Sequence, residues 1–468
     1  MTLYALSPLD GRYGNETSAL RDFFSEFAYL RARVQVELDF LSALSQTGIL
    51  SPEGLSDWKA ELQDFTEEDA RKIQEYEKTT RHDVKAIEYF LRDKLMESHS
   101  SLSSPQQQAA ALQMIPFVHF GLTSEDINNI AQAIALRDSR DKVLLPALDH
   151  LIDGLRDVIG KYRALPMLAR THGQPAVPTT LGKEFAVYLA RLMKCRDEMV
   201  NHKFEAKLTG AVGNFNAFQA SAPQVDWLSF SKDFIQSLHL EPSLVTTQIL
   251  PYDNWVRFFD SLKLANTILF GYTQDMWRYI SDGVLKQKAI EGEVGSSTMP
   301  QKVNPIDFEN AEGNLGIANA LLDYYGQKLP VSRLQRDLSD STVRRTFGVA
   351  LGHTLLAWKN ISRGMSRVEA DERKIKWELN KHWEVVSEGA QTILRAVGRN
   401  DAYESLRLRT RGRVLDESSY RQWIENLDID EQTRDRLIFL SPQAYIGLAV
   451  QLTDQILRDS ILDPQKFE

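Results

Sequence analysis

The densest run of chemistry-bearing residues lies between Gly292 and Pro305: Gly-Glu-Val-Gly-Ser-Ser-Thr-Met-Pro-Gln-Lys-Val-Asn-Pro. Two glycines, two serines and a proline describe a mobile connection. Asn304-Pro305-Ile306-Asp307 then reads as a helix start, with an N-cap, a proline at the first helical position and an early acid. A helix N-terminus leaves backbone N–H groups unpaired and carries the positive end of the helix dipole, so Lys302 and Asn304 stand where an anion would bind. Composition alone equally suits a solvated interhelical connection whose glycines and serines serve turn geometry. Histidine supplies protons near neutral pH. The chain has nine, and a histidine judged alone is more often structural than catalytic.

The elements that must position these groups read as long helices. Leu181, Phe185, Tyr188, Leu192, Cys195 and Met199 form one helical stripe. Trp255, Phe259, Leu262, Ala265, Leu269, Tyr272, Met276 and Ile280 form another, with no proline between Pro251 and Pro300. Residues 126–163 carry a third pattern, broken by Pro146, and a fourth helix opens at Asn304 and runs to about Lys328. Four or more helices of about 25–35 residues, against a mean of roughly 11–12, predict an all-α, extended long-helix bundle. Alternation typical of strands is scarce, and the best candidate is a short loop or hairpin at Gly210–Phe218. A polar stretch from Ser98 to Gln108 and a charged run after residue 363 divide the chain into three helical regions, 1–115, 116–362 and 363–468.

Composition narrows the function classes. The 468 residues carry 55 Lys+Arg against 64 Asp+Glu, a net charge of −9, and 43% hydrophobic residues. The acidic balance argues against a nucleic-acid binder, which would have to neutralise phosphates with Lys and Arg. It still allows a small anionic substrate held by locally concentrated cations. With Cys195 as the one cysteine, no intrachain disulfide forms, which fits a reducing cytoplasm. The N-terminus lacks a secretory pattern, and no run of 18 apolar residues marks a membrane span. Cofactor motifs such as Gly-x-Gly-x-x-Gly after a strand, a Walker A loop or His-Glu-x-x-His are absent from the sequence.

The string Gly-Ser-Ser-x-Met-Pro-x-Lys-x-Asn-Pro from Gly295 to Pro305 resembles the signature of the fumarase/aspartase superfamily, homotetrameric all-α lyases that release fumarate. Thr171-His172-Gly173-Gln174-Pro175 and the segment from His119 to Asn128 resemble its other two regions, in the expected order. Within the superfamily, Ser7–Tyr13, Thr79–Ala86, Gly173 after the histidine, and Ser332–Arg345 resemble the adenylosuccinate lyase family. Gln301 stands where some members carry His or Tyr.

The resemblance implies a substrate with a succinyl group attached through nitrogen to a purine nucleotide or its imidazole precursor. Elimination then needs a base, an acid and a sink for the charge developing on a carboxylate. The family pattern implies Ser296 as general base and His172 as general acid, with Ser297, Lys302 and Asn304 binding substrate beside them. It further implies phosphate contacts from Arg12 with Tyr13 and from Arg336 with Ser341, Thr342, Val343, Arg344 and Arg345. Thr123 and Ser124 would meet a succinyl carboxylate. Arg81, His82, Asp83, Gln248 and Asn310 complete the implied substrate contacts, with His82 either meeting substrate near the phosphate or supporting His172, and His119 would stand behind them. A solvated helix face suits Arg333, and suits Arg344 as an alternative. No metal or organic cofactor is implied. A homotetramer with active sites shared between subunits is, with the long helices burying their stripes against each other. The alternatives are another fumarate-releasing lyase, such as an argininosuccinate lyase, or a noncatalytic helical scaffold.

Overall fold

The computed structural model describes residues 3–51, 64–101, 105–292, 295, 297–412 and 414–461. The all-α expectation holds: the sheets among these residues are three two-stranded pairs, and helices make up the rest of the regular structure. Two compact units emerge, each discontinuous in sequence. The first comprises Met1–Pro146, Asp197–Leu264 and Ile317–Leu356; the second comprises Ala147–Arg196, Ala265–Gly316 and Ala357–Glu468.

In the first unit, helix α1 (Glu26–Ser45) starts where the Ser25 hydroxyl accepts the Ala28 amide. Its Leu30, Val34, Leu38 and Leu41 form one stripe, buried against Ile73 of α2 (Glu67–Thr80) and against Ile87, Phe90, Leu91 and Leu95 of α3 (Asp83–Ser101). Helix α4 (Ser124–Ser139) differs, because Glu125, Asp126, Asn128, Asn129 and Gln132 are buried along with its apolar residues. A helix buried on every face must satisfy its polar side chains inside the protein. From α4 the chain passes through one π-helical turn at Arg140–Leu144 into α5 (Leu145–Tyr162). Pro146 therefore does not break this stretch as expected. The widened turn absorbs a proline near the start of the next helix, where its missing N–H costs little.

In the second unit, β1 (Pro166–Thr171) and β2 (Gln174–Thr180) form an antiparallel hairpin closed by His172-Gly173. At 210–218 the loop form of the expectation holds, and the hairpin form does not. Residues 210–218 make a turn leading into a short helix at Asn216–Ser221, and the hairpin, unanticipated, is the one carrying the histidine motif. The long helices are α6 (Leu181–Asn201), α7 (Asp253–Ser281), α8 (Ile306–Lys328) and α9 (Phe347–Ser366). They have 21, 29, 23 and 20 residues, so among the described helices α7 alone reaches the expected length. The boundaries between units fall within all four. The C-terminal helices surround their own core of Leu379, Trp383, Val386, Leu394, Tyr420, Trp423 and Leu437. Asp371, Asp416 and Asp430 each cap one of them by accepting a backbone N–H.

The base of the hairpin is tight. The Leu181 amide donates to the Leu165 carbonyl at 3.0 Å, and a Cβ on Gly182 would lie 2.6 Å from Arg163 Cα and 2.7 Å from its nitrogen. Backbone cannot yield as a side-chain tip can. Gly182→Ala is expected to lower stability by about 1–3 kcal/mol, the range for overpacking, read as a reduced urea midpoint at unchanged slope.

Candidate active site

The organising group of the first unit is Glu125, 1% exposed at the start of α4. One carboxylate oxygen accepts from Arg336 at 2.9 Å and from Arg344 at 3.0 Å; the other accepts from the Tyr252 hydroxyl at 2.9 Å. Burial alone would push this carboxyl up, but Arg344 and Arg336, with hydrogen bonds from Arg336 and Tyr252, hold it below its ordinary range. Arg344 also pairs with Asp340 at 3.0 Å and donates to Gln132. The solvated-face alternative for Arg344 is thus wrong, since it is 3% exposed and bound between buried acids. Arg333 does lie on the surface. The next residue, Asp126, pairs with fully buried Lys207 at 2.9 Å and accepts from the amides of Thr123, Thr209 and Gly210. These bonds fix the backbone on which Thr123 and Ser124 ride.

His82 faces that segment. Its Nδ1 accepts the Lys85 amide at 3.1 Å, closing the first turn of α3, which leaves the proton of the neutral ring on Nε2, 3.5 Å from Ser124 Oγ. Asp83 is held by Arg33 at 2.7 Å and lies 3.5 Å from Arg345. Burial raises the Asp83 carboxyl, and the two guanidinium groups, Arg33 first, outweigh it and bring it below the ordinary range. Arg33 is set by stacking on Tyr29, 3.7 Å from the ring centroid, and by Asn128 at 2.8 Å. His82, Lys85, Glu88, His119, Leu122, Thr123 and Ser124 line one cleft of about 300 Å³.

The other selected residues of this unit are placed as follows. Arg12 is exposed, 5.8 Å from the ring of half-buried Tyr13, and Arg81 is exposed at the left-handed end of α2. Gln248 donates from its side chain to the Ala211 carbonyl and from its backbone to Gln335, the neighbour of Arg336. Ser341–Arg345 lie in and just after the short helix Ser339–Arg344, with Thr342 exposed, Ser341 half-buried and Val343 buried.

In the second unit, His172 occupies the exposed tip of the hairpin. His172 and Gly173 both have positive φ, 51° and 73°, as a tight two-residue hairpin turn with right-handed strand twist requires. The Gly173 carbonyl accepts from Arg170, which is anchored to Glu378. The ring is thus presented on a stiff support. Ser296 lies outside the described residues, as do Glu293 and Val294. Around them, the Asn304 side chain donates to the Gly295 carbonyl, and a Cβ on Gly295 would sit 1.9 Å from the Lys302 carbonyl oxygen. Only glycine permits that backbone crossing. Ser297 and Lys302 are exposed, and α8 starts one turn beyond. The Asn304 amide tethers the loop where sequence reading has it capping the helix. Asn310 is more deeply engaged: its Oδ1 accepts from Asn314 at 2.9 Å and Asn360 at 2.6 Å.

Residues 11–318 match the family described as Lyase, and residues 332–446 match Adenylosuccinate lyase C-terminal. The adenylosuccinate lyases of Haemophilus influenzae and Escherichia coli (strain K12) are each 44% identical over 461 residues, spanning 97% of this chain and 99% of theirs. That of Dictyostelium discoideum is 44% identical over 466 residues, 95% of this chain and 97% of its own. The chain belongs to the adenylosuccinate lyase family. Among solved structures, the 3-carboxy-cis,cis-muconate lactonizing enzyme from Pseudomonas putida superposes with TM-score 0.75 at 20% identity, covering 95% of this chain and 97% of its own. A fumarate lyase from Mesorhizobium sp. BNC1 gives TM-score 0.75 at 17% identity, covering 94% and 97%. At such identities these two establish the fold.

Every candidate site residue named from the sequence falls inside the two matched segments of this adenylosuccinate lyase family member. Sequence reading missed the acids behind them: Glu37, Glu125, Asp126 and Asp340, with Lys207. Their signal was only a carboxylate inside an otherwise matched segment, and burial is not written locally. Glu125→Gln removes the charge between two arginines and is expected to cost about 3 kcal/mol, the lower end for breaking a buried pair, because Asp340 still faces Arg344. The Glu125 carboxyl titrates lower folded than unfolded, so its stabilisation is complete above the ordinary carboxylate range and is lost as pH falls through the lowered value. Urea midpoints measured from neutral pH into acid should therefore decline more steeply for the parent protein than for Glu125→Gln.

Proposed function

We propose that the protein eliminates fumarate from adenylosuccinate, leaving AMP, and from the succinylated aminoimidazole carboxamide ribotide, leaving the free carboxamide. The observation that carries this reading is the end-to-end similarity to adenylosuccinate lyases with all three superfamily regions intact. Argininosuccinate has no phosphate for the exposed Arg12 and Arg81 to meet.

In this reading Ser296 removes the proton from the carbon beside one succinyl carboxylate. The electron pair moves onto that carboxylate, where Lys302, Asn304 and the free amides at the start of α8 stabilise it. The C–N bond then breaks to form the fumarate double bond, while His172 protonates the leaving nitrogen. Thr123 and Ser124 hold a succinyl carboxylate; Arg12, Tyr13, Arg81, Arg336 and the Ser341–Arg345 segment hold the phosphate side. Val343 is buried and the Arg344 guanidinium is bound between Glu125 and Asp340, so only their backbones would serve there. His82, Asp83, Gln248, Ser297 and Asn310 complete the pocket. The chemistry draws its acid and base from side chains, so the reading includes no metal or organic cofactor.

A homotetramer whose sites draw residues from several subunits is part of the proposal, as are the three regions 1–115, 116–362 and 363–468 and a cytoplasmic location. Exposed Leu264, Trp277, Ile317 and Tyr324 on α7 and α8 fit self-association of long helices. Among the described residues no helix is long and apolar enough to cross a membrane.

Purified protein incubated with adenylosuccinate should release AMP and fumarate in equal amounts. His172→Ala and Ser296→Ala should each lower kcat by about 100- to 10,000-fold with secondary structure retained, the span of a lost general acid or base. Cleavage of argininosuccinate but not adenylosuccinate would overturn the substrate assignment, and near-normal turnover by either variant would overturn that residue's role.

A further inference from the structure

Glu37 lies on α1 with no exposed surface, and one of its oxygens is 2.6 Å from His119 Nδ1. Its other oxygen has no hydrogen-bond partner among the described residues. His119 is held in the left-handed backbone region at φ 62°, a conformation uncommon outside glycine, and its side chain lines the cleft shared by His82, Lys85, Thr123 and Ser124. With Nδ1 committed to the carboxylate, Nε2 is the ring's remaining polar atom.

We propose that Glu37 is a positioning residue for the elimination: through Nδ1 it holds His119 as an imidazolium whose Nε2–H binds an anionic oxygen group of the substrate in the cleft beside His82, Thr123 and Ser124. This rests on the lyase reading above and assigns a role to an acid that contacts no substrate. A buried carboxylate with a single bonding partner is costly unless that partner carries the compensating charge. Burial opposes the charge on His119, but Glu37 outweighs it and raises the imidazole above its ordinary value, with smaller contributions from Glu88 and Asp126. Glu88, on α3, is itself paired with Lys85 at 2.7 Å and Arg92 at 3.1 Å; Asp126, on α4, is paired with Lys207. Glu37 is thus the one carboxylate of the three bonded directly to the ring. The His82 Nε2–H, the Ser124 hydroxyl and the Lys85 ammonium make the rest of the cleft rich in donors, which suits a carboxylate or a phosphate.

The test compares the parent protein with Glu37→Gln, which preserves shape and an oxygen acceptor while removing the charge. KM for adenylosuccinate should rise about tenfold at pH 8, the equivalent of one charge-assisted hydrogen bond, with kcat changed less than about threefold. The penalty should shrink toward pH 6, where a histidine without its carboxylate protonates unaided. In a His119→Gln background, Glu37→Gln should add nothing. Product inhibition identifies the anion: a weakened fumarate constant assigns a succinyl carboxylate, and a weakened AMP constant assigns the phosphate. An unchanged KM, a penalty independent of pH, or an additive loss in the His119→Gln background overturns the proposal. Should Glu37→Gln not fold, Glu37→Asp decides: a raised KM without new pH dependence supports the role, and an unchanged KM removes it. A parent protein inactive on adenylosuccinate fails the lyase reading itself, and the assignment of Glu37 falls with it.

Discussion

The burial of α4 on every face is the constraint from which much of the first unit follows. A helix with no solvent-facing side cannot carry Glu125, Asp126, Asn128, Asn129 and Gln132 unless each meets a partner, so each recruits one from a distant part of the chain. Glu125 draws in Arg336, Arg344 and Tyr252; Asp126 draws in Lys207 and the 209–210 backbone; Asn128 draws in Arg33. Arginines more than 200 positions away in sequence are thereby brought to the segment bearing Thr123 and Ser124. Such a network adds little net stability compared with an apolar core, yet removing any one partner leaves an uncompensated buried charge.

The second unit meets a different requirement, presentation of groups that must meet solvent-borne substrate. His172 sits on a two-residue turn between strands, and the signature loop crosses its own backbone at Gly295 before entering α8. One support is a strand turn braced by Arg170, and the other is a loop tied by Asn304 to the Gly295 carbonyl.

Much of this was legible in the residues. Helix α8 ends at Lys328 as periodicity indicates, and the all-α class follows from the stripes on α6 and α7. The hairpin was not, because Pro166–Thr180 contains two further prolines, Pro175 and Pro178, that argue against strands, while its one favourable sign, His-Gly at the turn, is weaker than Asn-Gly. The π-helical turn before Pro146 was likewise invisible, since it is an adjustment of hydrogen bonding and not of composition. Candidate site residues could be named only where a motif carried them. Arg344 shows the limit: a run of arginines looks solvated until the acids that bury one of them are known.

The most direct measurement is a crystal structure of the Ser296→Ala variant with adenylosuccinate bound. One substrate molecule should lie with its phosphate against Arg12 and Arg336, a succinyl carboxylate against Thr123 and Ser124, and its bridging nitrogen within hydrogen-bond reach of His172, these residues coming from more than one subunit. Adenylosuccinate bound with His172 remote from the bridging nitrogen, or with the arginines clear of the phosphate, would contradict the assignment of these residues to one reaction centre.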